Sequence, residues 1–70
     1  MIKIGKVSSY DKENLTARVF YEDESNVSGQ LQILESCSLP LEIDEYVVCA
    51  YSKYGYGFIL GRWHEKKDGD

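Results

Sequence analysis

The sequence predicts a single, small all-β domain. Apolar and polar residues alternate along most of the chain, which is the pattern of strands that bury one face. Turn-forming residues recur between these segments, and no stretch has the apolar spacing of a long helix. With 70 residues, the chain is long enough for one domain with a thin core, because a domain of this size buries only about 60% of its unfolded surface.

The first part of the chain predicts two strands joined by a turn. A strand is expected over Ile2–Tyr10, where Gly5 interrupts the alternation as a bend or bulge would. Asp11–Asn14 is expected to be a turn, because Asp and Asn side chains hydrogen-bond to nearby backbone groups. The second strand, Leu15–Tyr21, has the clearest alternation, with Leu15, Ala17, Val19 and Tyr21 on one face and Thr16, Arg18 and Phe20 on the other.

The middle of the chain predicts a third strand and an irregular connection. After an acidic loop over residues 22–26, a strand is expected from Val27 to Leu34, with Leu31 and Ile33 facing inward. Pro40 has no amide hydrogen and does not fit a central strand. Residues 35–41 are therefore expected to form a connector, with room for a helical turn near Ser36.

The last part of the chain predicts a hairpin of two strands. The fourth strand, Tyr46–Tyr51, is apolar on both faces, which indicates central burial or a face covered by a partner. Residues 52–57 contain two glycines and are expected to connect it to a fifth strand, Phe58–Trp63.

Five short strands in a flat sheet would leave hydrophobic edges exposed, whereas closing the sheet into a barrel removes those edges. We therefore predict a five-stranded OB-like barrel over residues 1–64 and a charged tail over residues 65–70. An SH3-like barrel is the alternative, because periodicity alone does not separate the two.

Charge and cysteine content limit the partners and the compartment. With 12 acidic and 8 basic residues the net charge is −4, whereas a protein that grips phosphates needs a surplus of Lys and Arg, so nucleic acid is not the expected partner. No apolar run approaches the ~20 residues of a membrane span, and the N-terminus lacks a signal-peptide centre. Membrane insertion is therefore not expected, and the chain is expected to fold in a cytoplasm with Cys37 and Cys49 as reduced, buried thiols.

The sequence does not place the groups of an enzyme together. Its one histidine, His64, lies beside the charged tail, and the acids Glu22, Asp23 and Glu24 are consecutive in a loop. Acid–base catalysis needs groups in different environments, and nucleophilic catalysis needs a base beside a nucleophile. Spacings for zinc, calcium or a phosphate-binding loop are also lacking. We therefore expect a protein that is not an enzyme and that uses no metal or cofactor.

The aromatic residues are the candidate contact residues. Tyr54 and Tyr56 lie in the predicted hairpin, and Trp63 ends the fifth strand. Tyrosine and tryptophan are enriched at protein interfaces, although tyrosines also favour strands for packing and can stack on nucleic-acid bases. We predict that Tyr54, Tyr56 and Trp63 contact a partner.

Five segments, taken in order, match the pattern of a known family. They are Gly5–Asp11, Leu15–Val19, Val27–Leu34, the stretch from Pro40 through Asp44–Ala50, and Gly57–Trp63. Together they resemble the OB domain of phage baseplate assembly protein V and related tail-spike proteins, and the resemblance extends over nearly the whole chain.

The resemblance implies a structural assembly domain of a phage tail baseplate, a tail-spike, or a prophage or contractile injection apparatus. It implies a homotrimer that docks tail-tube or baseplate proteins, located in the virion tail and, during assembly, in the bacterial host cytoplasm. Self-association is also favoured by the thin core and by the fourth strand, which is apolar on both faces. The alternative is an OB-fold module that binds single-stranded nucleic acid or oligosaccharide. Such a module would gather its basic residues beside the tyrosines, namely Lys3, Lys6, Arg18, Lys53 and Arg62.

Overall fold

The computed structural model describes residues 1–62, which contain six β-strands and no helix. Alternating residues produce these strands, because each strand turns one side chain in two toward a shared interior. The strands are β1 (Ile2–Asp11), β2 (Thr16–Tyr21), β3 (Asn26–Val27), β4 (Leu31–Ile33), β5 (Tyr46–Tyr51) and β6 (Gly57–Arg62).

The strands close into a barrel in the order β1-β5-β6-β4-β2, with β2 pairing back to β1. The long strand β1 makes this closure possible, because Ile2–Lys6 pairs with β5 and Lys6–Asp11 pairs with β2. Strands β4 and β6 are parallel, whereas the other neighbours are antiparallel. This arrangement confirms the predicted all-β class and the small five-stranded OB-like barrel.

The barrel interior is filled by the inward residues of the five strands and by two residues of the connector. The predicted inward positions Leu31 and Ile33 are buried, and Val7, Val19, Val47, Cys49 and Ile59 are fully shielded from solvent. The remaining buried apolar residues are Ala17, Tyr21, Cys37 and Leu41. None of the described buried residues is charged, so burial of apolar surface stabilises the fold without a cost of charge burial.

The prediction of one continuous third strand is wrong. Instead of one strand from Val27 to Leu34, the chain forms β3 and β4, which pair with opposite ends of β2. Ser28 separates them: its backbone N–H donates to the Val19 carbonyl at 2.8 Å, and its hydroxyl accepts from the Val19 N–H at 2.9 Å. The Ser28 hydroxyl also donates to the Gly29 carbonyl at 2.7 Å. The Ser28 hydroxyl thus takes the place of a backbone carbonyl as the acceptor for the Val19 N–H, and strand pairing is interrupted between β3 and β4.

Two smaller features also differ from expectation. Leu15, predicted to begin the second strand and to share a face with Ala17, Val19 and Tyr21, lies instead in the preceding turn with a φ of 54° and is exposed. The connector has no helix near Ser36; it has a turn in which the Cys37 N–H donates to the Leu34 carbonyl at 3.0 Å. The predicted end of the fifth strand at Trp63, and the boundary between a barrel ending at residue 64 and a tail over residues 65–70, lie outside the described residues.

Gly5 lies where β1 begins to pair with both of its neighbours. A Cβ atom there would be 2.5 Å from Val19 Cγ1 and 2.6 Å from the Phe20 carbonyl oxygen. The register of β1 against β2 shifts three residues later, at Ser8, between Val7 and Ser9. At Gly5 the structure therefore shows a close approach of β1 and β2, and the bulge lies near Ser8 instead.

The predicted turn after β1 is organised by the Asp11 carboxylate. Its Oδ1 accepts from the backbone N–H groups of Glu13 at 3.1 Å and Asn14 at 3.2 Å, and its Oδ2 accepts from Asn14 Nδ2 at 2.8 Å. These hydrogen bonds, the Asn14 side-chain bond foremost, hold the pKa of Asp11 below its usual value.

We expect the contribution of Asp11 to stability to depend on pH. Because its folded-state pKa is lowered, the contribution is present above the unfolded pKa and is lost as pH falls through the folded value. The destabilisation caused by Asp11→Ala should therefore shrink between about pH 7 and pH 3, as measured by urea unfolding at each pH. Glu13→Ala, which removes a neighbouring carboxylate and leaves the Asp11 bonds, is the control. An Asp11→Ala effect as large at low pH as at neutral pH would contradict the prediction.

Candidate binding surfaces

The hairpin between β5 and β6 presents two tyrosines to solvent. The Ser52 N–H donates to the Tyr56 carbonyl at 2.8 Å, and the Ser52 hydroxyl accepts from the N–H groups of Tyr54 and Tyr56 at 3.3 and 3.2 Å. Gly55 completes the turn with a φ of +89°, a conformation that favours glycine. The hairpin is thus fixed by its own backbone, whereas Tyr54 and Tyr56 remain 76% and 67% exposed.

A groove runs along the barrel beside this hairpin. It has a volume of about 440 Å³ and is lined by Thr16, Gln30, Gln32 and Gly55–Phe58. The residues come together because Thr16 pairs with Gln32 across β2 and β4, and Gln32 pairs with Phe58 across β4 and β6. Its lining residues carry two amides, two hydroxyls and two aromatic rings, and no charged side chain.

Thr16 differs from the other polar residues of the described chain. Its hydroxyl oxygen is buried, and it alone among buried side-chain polar atoms of residues 1–62 has no hydrogen-bond partner. An unpaired buried hydroxyl costs stability, and most such groups in folded proteins are satisfied. Thr16 is thus a lining residue of the groove whose hydroxyl oxygen is shielded from solvent and unpaired.

A second surface lies on the outer side of β1, β5 and β6. We call it the outer strip and define it as Ile2, Ile4, Val48, Ala50 and Leu60. The register places Ile2 opposite Ala50 and Ile4 opposite Val48, while Leu60 follows Phe58 on the outward side of β6. Ile2, Ile4 and Leu60 are 61%, 47% and 37% exposed. The strip is thus a contiguous apolar face that the monomer leaves uncovered.

A cluster of polar side chains lies at the end of the barrel near Tyr51 of β5. The hydroxyls of Tyr21 and Tyr51 are hydrogen-bonded at 2.7 Å, and their rings meet edge to face with centroids 6.5 Å apart. Lys3 Nζ lies 4.8 Å from the centroid of the Tyr21 ring and pairs with Glu24. The bond to Glu24 raises the pKa of Lys3, and burial raises the pKa of Tyr21. Both groups therefore keep their protons at neutral pH, and neither serves as a base.

An ion pair lies near the other end of β5. Arg62 Nη2 and Nε donate to Glu45 Oε2 at 2.7 and 3.1 Å, and Arg62 Nη1 donates to the Pro40 carbonyl at 3.0 Å. These contacts tie β6 to the segment that precedes β5. They leave the arginine engaged within the chain rather than available to a ligand.

The basic residues do not gather on one face, although Lys3, Lys6 and Lys53 each lie over a tyrosine ring. Lys3 and Arg62 lie toward opposite ends of β5 and are paired with carboxylates, and Lys6 lies 3.9 Å from Glu22. Lys53 alone of the five candidates contacts a hairpin tyrosine, with its Nζ 5.1 Å from the Tyr54 ring centroid. Arg18 is exposed on β2. This distribution differs from the basic face that single-stranded nucleic acid requires.

Both cysteines are free and buried, as expected. Burial raises the pKa of each thiol, which keeps it protonated at neutral pH and therefore a poor nucleophile. Within residues 1–62, no cluster of His, Cys, Asp and Glu is suited to a metal ion. The same residues include no helix long and apolar enough to cross a membrane.

The structure therefore defines a small OB-like barrel with two candidate binding surfaces, the groove and the outer strip. No protein-family model, curated protein or solved structure matches the chain.

Of the residues predicted as contacts, Tyr56 lines the groove, Tyr54 stands on the same hairpin outside it, and Trp63 lies outside the described residues. Sequence reasoning missed Thr16, Gln30 and Gln32, because the strands that carry them meet only when the barrel closes. The sequence indicated part of the outer strip, because the predicted fourth strand is apolar on both faces. It did not indicate that the strip extends over β1 and β6.

Proposed function

We propose that this chain is a structural assembly domain that acts by self-association and by docking other proteins. The observation that carries the proposal is the outer strip, an uncharged apolar face that spans three adjacent strands. Monomeric proteins rarely expose contiguous apolar faces without a function, and the centres of subunit interfaces are apolar with a polar rim.

A second copy of the chain is the proposed occupant of the strip. The strip carries no charge that would need an opposite charge on its partner. Identical strips can therefore pack against one another within a closed symmetric oligomer. Polar residues border it as a rim would, since Lys6 lies over the Tyr46 ring with its Nζ 5.4 Å from the centroid. A domain this small also gains the most from burying further apolar area.

The resemblance to the baseplate protein V family supplies the more specific part of the proposal. By that resemblance the oligomer is a trimer, and it docks tail-tube or baseplate proteins in the virion tail after assembly in the host cytoplasm. The exposed hairpin tyrosines, Tyr54 and Tyr56, are the proposed docking contacts. Tail-tube, tape-measure or baseplate genes beside the gene for this chain would support this assignment.

Light scattering over a broad range of protein concentrations tests the self-association. The wild-type chain is expected to have the mass of a trimer, and Ile4→Lys is expected to yield monomers, because a charge in the strip would have to be buried unpaired. Ile43→Lys is the matched control, since Ile43 is 58% exposed and lies outside the strip. A wild-type chain that stays monomeric at the highest concentration would overturn the proposal.

The alternative of a single-stranded nucleic-acid binder receives less support. Three of the five basic residues that it needs are paired with carboxylates, and the chain has a net charge of −4. A fluorescent oligonucleotide that bound at low salt and dissociated as salt rose would favour this alternative.

A further inference from the structure

We infer that the first half of β1 is a strand-addition edge, and that a segment of a second copy of the chain pairs with it in the assembled protein. This inference rests on the proposed self-association and specifies how the copies join. It adds backbone pairing at Ile2 and Ile4 to the side-chain packing of the outer strip.

The backbone groups of β1 alternate between its two sides. The Val7 N–H donates to the Glu45 carbonyl at 2.9 Å, and the Val7 carbonyl accepts from the Asp44 N–H at 2.8 Å. Val7 thus bonds on the β5 side, in the register of the β1–β5 ladder. Alternate residues of an antiparallel strand bond to the same neighbour, so residues 3 and 5 also bond to β5. The N–H and carbonyl groups of Ile2 and Ile4 therefore face the opposite side.

Within residues 1–62, no strand pairs with β1 on the side that Ile2 and Ile4 face. The ladder between β1 and β2 begins only at Lys6, which is opposite Phe20. Ile2 and Ile4 are both exposed. Together they present two N–H groups and two carbonyls in a row, and a free row of this kind is a template for pairing with another chain.

The lysines in this half of β1 do not protect the edge in the way that edge lysines usually do. Charged side chains, lysine above all, discourage pairing because they repel a similar strand. Here Lys3 pairs with Glu24, and Lys6 lies with its Nζ 3.9 Å from Glu22 Oε1. Both charges are balanced within the chain, so the edge stays open to a strand of a second copy.

The position of the edge indicates a second copy as its occupant. The Ile2 and Ile4 side chains belong to the outer strip, so a subunit that packs on the strip also lies against this edge. The strip has only five residues, whereas a standard interface has about 20–30 residues on each side. Strand pairing enlarges the contact and fixes the orientation of the copies, because backbone hydrogen bonds are directional.

Site-specific amide exchange tests the edge, measured by NMR at one concentration below the onset of assembly and one above it. Exchange of the Ile2 and Ile4 amides is expected to be slower by about tenfold or more in the oligomer, because these groups gain a partner. The Lys3 amide, which faces β5, is expected to be protected in both states.

Val27 provides a matched edge amide outside the strip. The N–H of the adjacent Ser28 donates to the Val19 carbonyl at 2.8 Å, so alternation turns the Val27 N–H away from β2. The Val27 amide is expected to exchange at the same rate in the monomer and the oligomer.

A methyl group on the Ile4 backbone nitrogen separates backbone pairing from side-chain packing. The full chain can be made by ligation at Cys37, with the methyl group in the synthetic first segment. The variant keeps the isoleucine side chain and is expected to unfold, as a monomer, at the urea midpoint of the wild type. Its dissociation constant is expected to rise by about tenfold or more, because the edge loses a donor and gains bulk. The same methylation at Val27 is expected to change neither quantity.

The results that would overturn the inference differ from those that would overturn self-association. Ile2 and Ile4 amides that exchange freely in the oligomer, or a methylated Ile4 variant that assembles like the wild type, would leave the assembly proposal standing without the strand pairing. Protection of these amides in the monomer, or a lower urea midpoint for that variant, would show that the chain covers its own edge. A wild-type chain that stays monomeric in light scattering would overturn both proposals.

Discussion

Gly5→Ala is expected to destabilise the fold strongly. The added Cβ would lie 2.6 Å from the Phe20 carbonyl oxygen, 2.5 Å from Val19 Cγ1 and 2.8 Å from Tyr21 Cδ1. Overpacking typically costs about 1–3 kcal/mol, and the cost is greater where backbone must move. Domains are stabilised by roughly 0.05–0.15 kcal/mol per residue, which for this chain is about 4–10 kcal/mol in total. A cost of about 3 kcal/mol or more would therefore remove much of the stability.

Urea unfolding followed by circular dichroism measures this effect, and Gly29→Ala is its control. A Cβ atom at Gly29 would meet nothing within 4 Å, so that variant is expected to be neutral or slightly more stable. If Gly5→Ala unfolded at the same urea concentration as Gly29→Ala, then β1 and β2 would not approach each other as the structure describes.

Ile59→Ala is expected to cost about 2–5 kcal/mol, the usual range for emptying a fully buried isoleucine site. Ile59 is completely buried on β6, where it pairs with Cys49 of β5 and with Ile33 of β4. It thus lies where the parallel β4–β6 pair meets the antiparallel β5–β6 pair. The loss should appear as a lower urea midpoint with little change in the slope of the transition.

The same substitution at an exposed isoleucine provides the comparison. Ile43→Ala, in the segment between β4 and β5, is expected to change stability by no more than about 0.5 kcal/mol, as most surface substitutions do. Both variants remove the same atoms, so the difference between them reports burial alone. Comparable midpoints for Ile59→Ala and Ile43→Ala would show that residue 59 does not lie in the interior.

The fold was predictable because strand alternation is a local signal. Val47 and Cys49 face inward and Val48 and Ala50 outward, as the period-two pattern requires. The break after Val27 was not predictable in this way, because it depends on hydrogen bonds between Ser28 and the distant Val19. Alternation therefore gave the number of barrel strands correctly but not the continuity of the third.

The candidate site was predictable only in part. Tyr56 was identified because glycines mark the hairpin that exposes it. Thr16 and Gln32 are sixteen positions apart and become neighbours only through the pairing of β2 with β4. Neither residue type signals binding by itself. The unpaired state of the Thr16 hydroxyl is a property of packing, and a single sequence carries no sign of it.

The double pairing of β1 has a consequence for the order of folding. Ile2 pairs with Ala50, so one half of β1 has no partner until almost the whole barrel sequence has been synthesised. The other half can pair at once with β2, which follows it after a short turn. The β1–β2 hairpin is therefore the natural early structure, and ring closure is a late, long-range step that slows folding. Until that step, the apolar residues of β1 remain open to contacts with other chains.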